Sequence, residues 1–151
     1  MFGKTISDYV SFQRPILILI VLAFAVRLAA SLLGLPNAST RWISVNLVLV
    51  VGLAYVAVAV HTRGFGGYKQ LFGLVLIQNL VAHLLISLAI ILGILTGTDN
   101  IFTAPEYFGG NDGKSWFHVG AHALIWIVPT LFGWLVGSLI LFVTRKLQPR
   151  P

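Results

Sequence analysis

No cysteine occurs among the 151 residues, so disulfides, thiolate metal sites and thiol nucleophiles are excluded. Acids are almost as scarce: Asp8, Asp99, Glu106 and Asp112 are the four, and all lie outside the long apolar runs. Charged residues make up 9% of the chain, against roughly 25% in a soluble domain. Hydrophobic residues make up 58%, and the mean hydropathy is +0.94. That balance excludes a water-soluble globule. Without a Ser/His/Asp set or paired carboxylates at membrane depth, an intramembrane hydrolase finds no support either. The glycine-rich stretch from His61 to Lys69 lacks the Gly-Lys-Ser/Thr of a phosphate-binding loop. The net charge of +6 is scattered in ones and twos at the ends of apolar segments, which argues against a nucleic-acid partner.

What is present is four apolar runs, at about 16–35, 42–61, 70–95 and 116–144, each near the roughly 20 residues that cross a bilayer as a helix. The expected fold is a single-domain, all-α integral membrane protein, an antiparallel bundle of four transmembrane helices. Residues 1–14 read as an interfacial lead-in of one or two helical turns, and Pro15 suits the first turn of the first span. The run continues past Ala23-Phe24-Ala25, a signal-peptide cleavage pattern, so it reads as a retained span. Ser39 and Thr40 are candidate N-caps for the second span, and Ser115 for the fourth. Residues 96–115 form the longest polar loop.

Lys and Arg near span ends set the expected orientation. Lys4, Arg14, Arg63, Lys69, Arg145, Lys146 and Arg150 fall on one side; Arg41 and Lys114 fall on the other, with Asp99, Glu106 and Asp112. Both termini should then be cytoplasmic and the 96–115 loop should face outward, in a bacterial inner (plasma) membrane. Tyr9, Phe12 and Tyr68 on one side, and Trp42, Tyr107 and Trp116 on the other, fit as interfacial aromatics.

Polar residues inside the spans sort onto single faces, as bundle interiors require. Arg27 and Ser31 share a face of span one; Asn46 and His61 lie on one face of span two; Asn79, His83 and Ser87 are four apart in span three. Span four carries His118, His122, Pro129, Gly133 and Gly137. Counting a rise of ~1.5 Å per residue from the outer end of each span puts Arg27 roughly 12 Å deep, Asn46 about 6 Å, His122 about 9 Å and His83 about 19 Å. Arg27, Asn46 and His122 are therefore candidates for one outward-opening ligand pocket, with His83 and Asn79 beneath. A guanidinium at that depth costs about 2.5–3.5 kcal/mol unless it snorkels or finds partners, and no carboxylate shares its depth.

His118 and His122, four apart on a helix, can grip one metal, with Glu106 or Asp112 as a third ligand, although no carboxylate sits between them as in His-Glu-xx-His. The competing reading is interfacial hydrogen bonding. His83 could ligate a haem or another tetrapyrrole together with His122 or His61, against an axial separation of about 10 Å from His122 by the same count. Interhelical hydrogen bonding is the plainer role for His83, Asn79 and Ser87. Gly133 and Gly137 signal close helix packing, within the chain or in a homodimer.

Three functions follow. The first is a non-enzymatic accessory subunit of a larger membrane complex, or a homo-oligomeric bundle. The second is a transport or ligand-binding module built on Arg27, Asn46, His83 and His122. The third is an electron-transfer protein holding haem or a transition metal through its histidines.

Overall fold

The computed structural model describes residues 1–105 and 111–148. The described chain is helical: α1 (Ile6–Phe12), α2 (Arg14–Leu32), α3 (Asn37–Thr40), α4 (Val45–Thr62), α5 (Tyr68–Thr96), α6 (Trp116–Ile125) and α7 (Ile127–Leu147). Four stretches are long and apolar enough to cross a membrane: Arg14–Leu32, Asn37–Thr62, Tyr68–Thr96 and Trp116–Leu147.

Local chemistry explains where each helix starts and stops. Thr5 and Asp8 form a reciprocal capping box that starts α1. Gly97 at φ +70° ends α5 in the left-handed conformation that glycine adopts without a Cβ clash. Ser115 caps α6 by accepting from the His118 backbone N–H at 3.2 Å. The expected caps Ser39 and Thr40 do not start the second span. They belong to α3, and α4 begins after the extended Ser44. The Thr40 hydroxyl is instead drawn to Arg27 at 2.6 Å, an acceptor that a guanidinium inside an apolar helix needs more than α4 needs a cap.

The fourth span breaks at Trp126, between α6 and α7. Pro129 has no N–H to give the carbonyl of Ile125, and its ring crowds that carbonyl, so the helix turns there. The Trp126 carbonyl accepts from both the Thr130 backbone N–H at 3.2 Å and the Thr130 hydroxyl at 2.7 Å.

One end of the bundle gathers the termini and the 63–67 turn. Phe12 stacks on Phe65, the Gln70 side chain donates to the Phe2 carbonyl at 2.8 Å, and a His61 ring nitrogen meets the Gln148 carbonyl at 2.7 Å. Tyr9, expected at the lipid interface, is fully buried here against Phe65 and Gly73, with its hydroxyl on the Met1 carbonyl. Gln13 is buried too, and accepts from the Gln78 side chain at 2.9 Å. The opposite end holds α3, residues 97–105 and the start of α6, so successive spans alternate in direction. Phe102 stacks on Phe24 and seats the 97–105 segment over α2.

Gly133 and Gly137 are buried on α7, where they let α4 and α5 approach. A Cβ on Gly137 would lie 2.8 Å from Leu53 and 3.3 Å from Leu71, and one on Gly133 would lie 3.2 Å from Val75. The Gly-xxx-Gly spacing thus packs helices within this chain. Gly137→Leu is expected to destabilise the bundle by about 1–3 kcal/mol through overpacking. Gly120→Ala, with open space within 4 Å of the added carbon, should be neutral or gain up to about 1 kcal/mol of helix propensity. Unfolding midpoints in detergent compare the two, and equal midpoints would contradict this packing account.

Candidate functional site: a cationic cavity at the loop end

The site begins with Arg27, less than two turns from the end of α2. Its guanidinium donates to the Asn37 side-chain oxygen and the Thr40 hydroxyl, both at 2.6 Å. These bonds fold α3 back over the end of α2. A guanidinium carries five N–H donors, so two such bonds leave capacity for a further acceptor.

Two cavities flank this group. Charge separates them. The first, about 340 Å³, is lined by Arg27, Ser31, Asn37 and Thr40 on one wall and by Asp99, Asn100 and Ile101 on the other. The second, about 330 Å³, is lined by Arg27, Arg41, Ser44, Asn46, Phe102, His118 and His122. Among the described residues no Asp or Glu lines this second cavity. Asp99, at the first, is ion-paired with Lys114.

Behind the cationic cavity the histidines form a column. His118 is buried, with its Nδ1 at 2.8 Å from the Gly113 carbonyl. Its ring centre lies 5.0 Å from that of His122, which in turn lies 5.1 Å from that of His83. The Nδ1 atoms of His83 and His122 are 3.0 Å apart, so one ring presents Nδ1–H and the other a lone pair.

That contact corrects the axial count, which put these rings about 10 Å apart. With 29 residues, α5 is about 43 Å long and overshoots the roughly 30 Å hydrocarbon layer. Its last turns stand above the start of α6, flanked by the loop: the Asn100 side chain donates to the Ala89 carbonyl at 2.9 Å, and a Cβ on Gly93 would meet Thr103 at 3.0 Å. Counting from the end of α5 therefore placed His83 too deep.

The remaining candidates fall as follows. Asn46 lines the cationic cavity and also a third, lateral one; Asn79 lines only the lateral one and donates to the Val75 carbonyl at 3.0 Å. His61 sits at the opposite end of the bundle from His83. Among the described residues no cluster of three or more His, Asp or Glu is placed to hold a metal ion, and Glu106 lies outside them.

Sequence reasoning did not single out Arg41 beyond its charge, nor Asn37, Asn100, Thr103 and Gly113. Asn37 and Thr40 had a legible signal, two acceptors three residues apart just after the span that carries a buried arginine. Gly113 had none: a Cβ there would fall 2.5 Å from the Thr103 backbone, a contact set by the folded loop. Compared with protein-family models, with curated proteins and with solved structures, the chain matches none.

The loop above the cavity is held by charge. Asp112 accepts from the Lys114 backbone N–H at 2.9 Å, and that bond, then the Lys114 ammonium, holds its carboxyl below the ordinary range. Lys114 is raised, first by its hydrogen bond to Asp99. Both shifts favour the charged forms. Their contribution is therefore present between the two ordinary pKa values, and is lost as pH falls through the lowered Asp112 value or rises through the raised Lys114 value. In Lys114→Met the Asp112 titration, followed by carbon NMR of the carboxyl, should move up toward the ordinary carboxylate range; an unmoved curve would rule out the ammonium's part.

Proposed function

We propose that this is a small polytopic membrane protein whose loop-end cavity binds a compact anion, as a ligand-binding or transport module. The observation that carries the reading is one cavity drawing two guanidinium groups, two imidazoles and a carboxamide from α2, the α3–α4 turn, α4 and α6, with no acid lining it among the described residues. Uncompensated cations in a partly enclosed, low-dielectric site favour a negative guest far more than the same charges in water would. His122 adds a donor at Nε2 in the tautomer whose Nδ1 accepts from His83, whereas neutral His118, with its Nδ1–H on the Gly113 carbonyl, presents a lone pair at Nε2.

The orientation that fits this role puts the termini in the cytoplasm and the cavity on the outer side of a bacterial inner membrane, supported by the seven-to-two bias of Lys and Arg between the two sides. The chain has no cysteine, so single-cysteine labelling is clean. Asn111→Cys in intact cells should react with an impermeant maleimide, and Lys69→Cys only after the membrane is opened; the reverse pattern would invert the orientation.

Binding is tested on the purified protein with inorganic phosphate and acetate at matched ionic strength. Phosphate near 100 times its Kd is expected to add about 2.7 kcal/mol of stability, seen as a raised unfolding midpoint. Arg27→Gln and Arg41→Gln should each weaken that response about tenfold in concentration, the loss of one charge-assisted bond. Arg41 serves as the control for Arg27, whose replacement also frees α3. Unchanged responses in both variants would overturn the anion site.

A further inference from the structure

Asn46 lines both the cationic cavity and the third cavity, about 370 Å³, which lies between α4, α5 and α7. Its walls are almost wholly apolar, with Leu49 and Leu53 on one side and Val75 and Val136 on the others. The two carboxamides at its back, Gln78 and Asn79, give their N–H groups to Gln13 and to the Val75 carbonyl.

α7 packs on both α4 and α5, whereas α6 packs on α5 and leaves α4 uncovered. Pro129, Phe132, Gly133 and Val136, all on α7, form the third wall of this wedge. The wedge also opens sideways: Val50 and Phe132 line it and are 65% and 68% exposed on the lipid-facing surface. From Asn46 to Leu53 it runs about 10 Å along α4.

We infer that the ligand is a single-chain anionic amphiphile drawn from the membrane, with its carboxylate or monophosphate head among Arg27, Arg41 and His122 and the first part of its chain in the groove between α4 and α7. This rests on the anion-binding reading and names its ligand class. Charge complementarity sets the head, and the apolar groove that shares Asn46 as a wall with the cationic cavity sets the chain. One groove accommodates one chain, and the lateral opening lets the remainder of the chain rejoin the bilayer.

The test uses the full chain in nanodiscs of zwitterionic phosphatidylcholine and a palmitate carrying a mid-chain diazirine. Photolabelling is expected to concentrate on Val50, Leu53, Phe132 and Val136. Unlabelled palmitate and hexadecyl phosphate should suppress it, whichever competes better identifying the head, while hexadecanol should not. Val50→Trp, at an exposed position, should block the groove and reduce labelling about fivefold or more while phosphate still raises the unfolding midpoint. Labelling spread evenly over lipid-facing residues such as Ile18, Leu19 and Leu22, or equal competition by hexadecanol, would overturn the inference and leave the anion site standing. If phosphate also fails to bind, the inference falls with the reading beneath it.

Discussion

A guanidinium inside an apolar helix has to find acceptors, and at Arg27 that demand organises one end of the molecule. Snorkelling alone would leave the group at the lipid surface. Instead Asn37 and Thr40 come back to it, each at 2.6 Å, and the connection after α2 coils into α3 rather than running straight into the second span. The same detour delivers Arg41 and Ser44 to the rim of the cavity. An arginine that is costly on insertion thereby shapes the loop and places a positive charge at the cavity wall.

The opposite wall depends on how the 97–105 segment is folded. Asn100 and Thr103 exchange bonds at 3.0 Å, Asn100 reaches the Ala89 carbonyl, and Gly113 donates to the Thr103 carbonyl at 3.2 Å. That carries the second half of the loop down beside α5, and His118 bonds to it through the Gly113 carbonyl. The column from His118 through His122 to His83 is thus anchored at its loop end by backbone. Its inner end rests on the Nδ1 contact, where two protonated rings would repel, so the column holds together only while at least one of that pair is neutral.

The four spans were legible because unbroken apolarity of about 20 residues has one solution in lipid, a helix. The polar faces were legible for the same reason, and Arg27, Asn46 and His122 do line one cavity. Depth was not legible. A residue count treats every helix as ending at the same plane, and α5 does not. Nor was the burial of the lead-in: Tyr9 and Gln13 look like interface residues by position, yet both are buried, Tyr9 against Gly73, where a Cβ would collide with its ring. Such contacts depend on which chain segments meet, and no local pattern records that.

The two ends of the bundle differ in packing. At the termini end Tyr9, Val56, Val60, Leu71, Leu74 and Leu141 form a continuous core, closed by helix contacts that only glycine permits. Two cavities that share Arg27 remain at the loop end, and a third runs from Asn46 along α4 to Leu53. The buried Gln13–Gln78 bond lies beside that core. Gln13 leaves its Nε2 without a partner among the described residues, a cost that a well-packed core would shed.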